Sequence, residues 1–367
     1  MKTIETIEGA KLISASFNIP ISEVVFIELN RTGVWLSKRQ VPVNFRARFL
    51  YNDKFSKKPP LYFAVPVKNK IETAFFVNED DQLMLGSHVL GGVSDLEIDT
   101  CDCSYFRKNK MVLNLNSNQR GNCSGCAYCV HNYPIYDSRV LKDRQKLSSK
   151  ASIREFLKNE IIAKNRFVNL AYLDQIAIVT GLFAGEKAIV RHIGNVREVA
   201  SEFEFQGPIF FLGSELRSSS ALAEVKKYQP FSLCYAIDCF TDRNHRLVKR
   251  KSNYSIPQII QTLSWALENG FETTFAYIVG LDPLKDVFEW VNKLRQCINR
   301  FPIVNIYQIQ HPDQNRIVAS GADKLDYFLK TRKIFESIFL PTFLRPHNWE
   351  NYRSLWTHWF GNEFLIE

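Results

Sequence analysis

Between residues 105 and 315 short apolar runs alternate with stretches of helical periodicity, and this alternation limits the possible folds more than any other feature of the chain. The strand-like runs are Met111-Val112-Leu113, then residues 175–180, 208–212, 231–237, 273–279 and 304–310, six in all. Ser152-Ile153-Arg154-Glu155 reads as a capping box opening a helix with Ile153, Phe156, Leu157 and Ile161 on one face. Leu222, Val225 and Tyr228 mark another helix. Ser255 to Gln258 reads as a second capping box, and its helix runs through Ile259, Ile260, Leu263, Ala266 and Leu267 to a stop at Asn269-Gly270. Asp282-Pro283 reads as N-cap and first residue of a helix carrying Val287, Phe288, Val291 and Leu294. Strands linked by helical crossovers lie parallel with the helices outside, and such sheets bind ligands at the C-terminal strand ends.

Residues 1–100 have a different texture. The runs 24–29, 33–36, 61–67 and 73–77 are β-branched and aromatic, broken by Asn30, Lys57-Lys58-Pro59-Pro60 and Asn78-Glu79-Asp80-Asp81. We read them as short strands of a β-rich accessory domain that covers the α/β part, walls its substrate or binds a partner. From about Ala322 a helix through Leu325, Phe328, Leu329 and Ile334 precedes an aromatic tail containing Trp349, Trp356 and Trp359. Core packing is the favoured role for that tail, ahead of closing a barrel or pocket. The expected division is 1–100, 101–320 and 321–367.

The chemistry concentrates just after the first strand of the α/β part, where Cys123, Cys126 and Cys129 fall within seven residues. Thiols spaced by two residues on a loop can converge on one metal while the strand behind fixes the loop's root. A structural zinc site takes four ligands, with Cys101, Cys103 or His131 as candidates to complete it. An iron-sulfur cluster held by three thiolates keeps one iron open, and a ferredoxin-type run would place a fourth cysteine near Tyr133-Pro134, where there is none. The open-iron cluster is the sharper reading, with zinc and plain buried thiols as alternatives.

At these residues the chain resembles the radical SAM superfamily, whose motif is three cysteines on the loop after the first strand of a partial barrel, with an aromatic residue before the last. Cys126-Ala127-Tyr128-Cys129 matches the second half; Ser124-Gly125 gives a first gap of two residues where three is usual. The resemblance covers roughly residues 105 to 315. It implies an α/β fold, a partial (β/α)6 barrel with an N-terminal β-rich domain. It also implies a 4Fe-4S cluster on Cys123, Cys126 and Cys129, S-adenosylmethionine as second cofactor, and an external electron donor. Ala184-Gly185-Glu186 is similar to the family's Gly-Gly-Glu element, which accepts hydrogen bonds from the methionyl ammonium. Ser214 and Asp238 fall where the family approaches the ribose or the methionyl carboxylate. Gly280, in Tyr277-Ile278-Val279-Gly280, falls where an apolar strand end packs on adenine, and Tyr128 is the aromatic residue of the motif. For each the bland alternative is a turn or a helix cap. The resemblance names no further catalytic residue.

Composition narrows the surroundings. With 46% hydrophobic and 23% charged residues the chain is ordinary globular protein. The start lacks a continuous apolar run, and no stretch reaches bilayer-spanning length, so a cytoplasmic protein with reduced thiols is expected. The net charge of +9 resides wholly beyond residue 100, where 35 basic side chains face 26 acidic ones. Arg243, Arg246, Lys249, Arg250 and Lys251 form its densest run. One of them is a candidate to hold an anionic group, the rest reading as solvated. The resulting expectation is an enzyme that abstracts a hydrogen atom from a small or nucleotide-like anionic molecule in a biosynthetic role, without a membrane. A peptide or RNA substrate, and a zinc-stabilised nucleic-acid-binding module, stand as alternatives.

Overall fold

The computed structural model describes residues 3–37, 44–51, 60–70, 72–98, 104–116, 123–129, 147–179 and 183–365. Six parallel strands form the α/β part: β8 (Val112–Leu115), β9 (Gln175–Val179), β10 (Ile209–Gly213), β11 (Phe231–Asp238), β12 (Glu272–Val279) and β13 (Ile303–Ile306). They neighbour one another in sequence order, and β7 (Tyr105–Arg107) pairs antiparallel on β8. Unbroken order with an outer crossover at each step curls the sheet into a partial (β/α)6 barrel.

Side-chain size decides what the curled sheet encloses. Outward positions carry bulk such as Ile176, Ile178, Phe211, Leu233, Tyr235 and Phe275, all buried under the helices. Inward positions are smaller: Ala177, Cys234 and Ala276 form a lumen cluster with Phe210 and Ile303. Because strand side chains alternate faces, small inward residues keep the lumen partly open.

Two helices and a closed sheet precede the barrel. Helices α1 (Ile7–Phe17) and α2 (Ile21–Thr32) are followed by β1 (Trp35–Leu36), β2 (Asn44–Tyr51), β3 (Leu61–Pro66), β4 (Phe75–Val77), β5 (Gln82–Leu85) and β6 (His88–Ile98). Their order is β1-β4-β5-β6-β2-β3, and a parallel bridge from Val34 to Val67 joins the two ends. The region is thus β-rich, but the expected strand over 24–29 is instead the middle of α2. Every residue from Ser22 to Asn30 is buried, so the helix has no polar face and no 3.6-residue pattern. Phe26 packs on Phe49 and Phe63 of the sheet at ring distances of 5.1 and 6.1 Å. The buried Glu23 carboxylate reaches the far end of the chain, pairing with Arg332 of helix α10 (Leu325–Phe339) at 2.7 Å.

Other local expectations shift. Helix α3 (Lys150–Phe156) is capped by Ser149, whose capping box closes on Ser152, so the box begins three residues before the one expected at Ser152. The box at Ser255 and Gln258 does open its helix, Ile256–Glu268. Asp282 is not an N-cap. Pro283 holds that position for the helix Leu284–Leu294, and the Asp282 carboxylate accepts instead from the Phe240 and Thr241 amides at 2.9 and 2.7 Å. The last strand stops at Ile306 rather than at 310.

The aromatic tail has two uses. Trp356 and Phe360 are core, packed on Phe301 at 5.3 Å each. Residues 349–353 bridge the gap between the barrel's edge strands. The Ile306 amide donates to the Arg353 carbonyl at 2.7 Å and the Ala64 amide to the Tyr352 carbonyl at 3.2 Å, while Arg107 of β7 donates to the Glu350 carbonyl. Among the described residues no single helix is long and apolar enough to cross a membrane.

Candidate functional site

The lumen opens into a cavity of about 370 Å³ that extends from the cysteine loop to the tail segment. Its walls are the inward residues of the strands, among them Asn114, Ala177, Leu212 and Ile278, with Tyr352 from the tail on its far side. At the loop end it meets Tyr128, Cys129 and Asp238. The tail end is polar. Arg300 pairs with Glu272 at 2.7 Å and with Glu350 at 2.5 Å, and Arg107 donates to the Tyr105 hydroxyl at 2.5 Å.

The cysteine loop is held by contacts on both sides. The Cys129 amide donates back to the Cys126 carbonyl at 2.8 Å, a tight turn. The Ala127 amide donates to the Arg246 carbonyl at 2.8 Å, and the Tyr128 carbonyl accepts from the Gln314 amide group at 3.0 Å. Cys126 is buried in an apolar cluster with Cys239, Leu247, Val248, Leu281 and Tyr307, on which Cys123 and Tyr128 also pack. Burial pushes the Cys126 thiol up, while the Lys251 ammonium and a hydrogen bond from the Val248 amide work the other way. Burial, then the Asp238 carboxylate, pushes the Tyr128 phenol well above its ordinary value.

The strap over these strand ends was read from the sequence as a mostly solvated basic run. It consists of two short helical turns, Arg243–Arg246 and Lys249–Ser252. Four of its five cations are turned to internal carbonyls and carboxylates at the C-terminal strand ends, and Lys249 is exposed. Arg243 donates to the Ile237 and Cys239 carbonyls at 2.7 and 2.5 Å, and Arg250 to the Phe183 carbonyl at 2.9 Å. Arg246 lies 3.4 Å from Asp282, and Lys251 pairs with Asp238. Charge-assisted bonds of this kind fix loop geometry, so the strap ties together the loops that follow β8, β9, β11 and β12. No sequence window shows this, because the acceptors are main-chain carbonyls and carboxylates that only the fold brings to the strap.

The expected site residues separate into those the fold brings together and those it does not. Tyr128, Cys129 and Asp238 border the cavity, and Cys123 and Cys126 lie in the apolar cluster beside it. Asp238 closes β11 after a register shift, with φ at 65°, which turns its carboxylate toward Lys251. Glu186 stands in the first turn of helix α4 (Glu186–Glu202), with Gly185 as its N-cap residue. The Glu186 carboxylate is used within the fold. It accepts from the Arg217 and Ser218 amides, both at 2.7 Å, and from the Ser218 hydroxyl at 3.0 Å, at the start of helix α5 (Ser219–Val225). Ser214 is buried beside Glu215, whose carboxylate accepts its amide at 2.8 Å, and the Ser214 hydroxyl has no partner. Gly280 sits at φ +116, where an added Cβ would stand 3.1 Å from Tyr307 Cβ. Neither Gly185, Glu186, Ser214 nor Gly280 borders the cavity. Cys101, Cys103 and His131 lie outside the described residues.

The donor set suits a thiolate-ligated cluster. Three thiols stand on one loop at the C-terminal end of β8, two of them half-buried, and Cys129 borders the cavity. Among the described residues no three His, Cys, Asp or Glu side chains are arranged to hold a metal ion as they stand.

These features define a class: a partial (β/α)6 barrel with a thiol-bearing loop at one lumen end and a tail across its open side. No protein-family model matches the chain, and no curated protein matches it. Among solved structures it is similar to SuiB of Streptococcus suis. Against SuiB bound to S-adenosylmethionine the TM-score is 0.41 at 13% identity, covering 63% of this chain and 49% of that one. Against SuiB bound to the precursor peptide SuiA it is 0.36 at 14% identity, covering 53% and 39%. The chain thus spans about half the length of the first of these, or less.

Proposed function

We propose that this protein is a radical S-adenosylmethionine enzyme, with Cys123, Cys126 and Cys129 holding a 4Fe-4S cluster and the lumen receiving the substrate. One observation carries the reading: the three-thiol loop follows the first strand of a parallel partial barrel and opens on the cavity in its lumen. A cluster held by Cys123, Cys126 and Cys129 would supply the single electron needed for reductive cleavage of S-adenosylmethionine, and with it the means to take a hydrogen atom from the substrate. The chain's own part is to position and to exclude. Tyr128 and Asp238 offer polar contacts at the loop end of the cavity, and the apolar inward residues keep water and competing hydrogen donors away. Segment 349–353 walls the side that an incomplete barrel leaves open.

The substrate is proposed to be a small, anionic or nucleotide-like molecule, and a peptide segment would serve the same chemistry. Nucleic-acid binding by the basic run is less well supported, because Arg243, Arg246, Arg250 and Lys251 direct donors to internal partners. The test is anaerobic reconstitution with iron and sulfide, then dithionite and S-adenosylmethionine, assayed for 5'-deoxyadenosine against the protein with all three loop cysteines changed to alanine. Cysteine-dependent product is expected. An iron-free protein that holds zinc would overturn the proposal.

A further inference from the structure

We infer that the ion pair between Lys251 and Asp238 tunes the reduction potential of the cluster bound through Cys126, with the Lys251 ammonium favouring the reduced state and the Asp238 carboxylate opposing it. The inference rests on the cluster assignment proposed above. It starts from where the strap puts its last cation. Lys251 is held against Asp238 with side-chain exposures of only 12% and 11%, and Asp238 borders the cavity that Tyr128 and Cys129 of the thiol-bearing loop also line.

Cys126 adjoins both charges. It is 7% exposed and packs with Leu247 and Val248, the residues just before the turn that bears Lys251. The Val248 amide donates to its sulfur, and the Tyr128 hydroxyl is within hydrogen-bonding reach of both that sulfur and the Asp238 carboxylate. Glu215 also faces Lys251, and Arg243, Arg246 and Asp282 lie around the neighbouring Cys239. Of these Glu215 alone faces Lys251, and all four stay in place in every variant below.

An electron added to a thiolate-ligated centre is favoured by nearby positive charge and by N–H donors to sulfur, and screening is weak in a buried site. Removing the cation must therefore lower the midpoint potential, and removing the anion must raise it. Opposed signs separate tuning from scaffolding, since loss of a purely structural contact reduces cluster content in either variant and gives no pair of opposite shifts.

The experiment is a redox titration followed by electron paramagnetic resonance on the reconstituted full chain, without S-adenosylmethionine, with iron and sulfide measured in each sample. Lys251→Met is expected to lower the reduction equilibrium constant by at least tenfold, about 59 mV for one electron. Asp238→Asn is expected to raise it, Lys251→Arg to stay near wild type, and the Lys251→Met/Asp238→Asn double variant to fall between the singles. Should Lys251→Met fail to hold a cluster, Asp238→Asn and Lys251→Arg decide the sign. Shifts in the same direction, or shifts under threefold in protein with full iron and sulfide, would overturn the inference. Wild-type protein that takes up no iron and sulfide would overturn the cluster assignment itself, a result distinct from a cluster whose potential ignores the pair.

Discussion

The buried pair of Arg332 and Glu23 joins the first and last parts of the chain, and its removal should show a stability loss whose pH dependence runs opposite to the usual acid behaviour. Both side chains are 0% exposed. Arg332 also donates to Glu336 at 2.8 Å and to the Leu355 and Trp359 carbonyls at 2.7 and 2.5 Å. Glu23 accepts from the Thr357 and His358 amides, both at 2.8 Å, and from the Thr357 hydroxyl. Burial opposes the Glu23 charge, but the Arg332 charge and these donors outweigh it and hold the carboxyl below its ordinary value of 4.5. In the wild type that stabilisation is therefore fully present above pH 4.5 and is lost as pH falls through the folded value.

Arg332→Met leaves Glu23 and Glu336 buried without their guanidinium. Removing one partner of a buried pair costs about 3–5 kcal/mol. Burial is then opposed only by the Thr357 and His358 donors, so the Glu23 value rises relative to the wild type. The attraction lost with Arg332 acts only on ionised Glu23, so the deficit shrinks as pH falls and the carboxyl protonates. Urea unfolding followed by tryptophan fluorescence should report both effects, since Trp356 lies in this network with its indole N–H 3.3 Å from Glu336. The expected result is a deficit of about 3–5 kcal/mol at pH 7 that narrows toward pH 5. The Glu23→Gln/Arg332→Met double variant should recover part of it. A deficit under about 1 kcal/mol, the range of exposed pairs, or one that widens on acidification, would refute the reasoning.

Three further outcomes follow from single contacts. Gly91 and Gly92 are neighbours in β6, yet a Cβ on Gly91 would meet the Leu50 carbonyl at 2.1 Å while one on Gly92 meets nothing within 4 Å. Gly91→Ala should therefore cost about 1–3 kcal/mol and Gly92→Ala much less, as thermal melts would show. Glu186→Ala removes three hydrogen bonds at the start of α5. It should lower stability by about 1–2 kcal/mol even without S-adenosylmethionine, and an unchanged melting temperature would show that the carboxylate is not used as a cap. Cys126→Ala should abolish iron and sulfide uptake while leaving the circular dichroism of the N-terminal sheet intact, and retention of full iron and sulfide would end the cluster assignment.

The sequence reading succeeded where the determinants are local. Six strands are legible because each is a compact apolar run followed by a helix with its own period, and the cysteine loop because its three thiols stand together in the chain. It failed where an element's meaning comes from distant partners. Residues 24–29 are β-branched and wholly apolar apart from Glu28, so neither a period of two nor one of 3.6 stands out, and a strand was the natural reading. Helix α2 is stable because a sheet, α10 and the tail surround it, and its two carboxylates find cations: Glu23 with Arg332, and Glu28 with Arg31 at 2.7 Å. Most of a run of five cations reads as solvated for a similar reason, although only Lys249 lacks an internal partner among the bonds described above.

The strap also changes which residues deserve weight at the site. Of the residues expected from single strand ends, Glu186 is engaged in capping and Gly280 in a tight turn, roles that local geometry alone explains. Asp238 differs, because it meets the cavity, Tyr128 and Lys251 at once. A carboxylate buried beside a thiol would ordinarily hinder the thiolate. With Lys251 attached the pair is near neutral as a whole, yet its two ends act on Cys126 with opposite sign. The fold therefore places a buried pair of opposite charges beside the buried thiol of its cysteine loop.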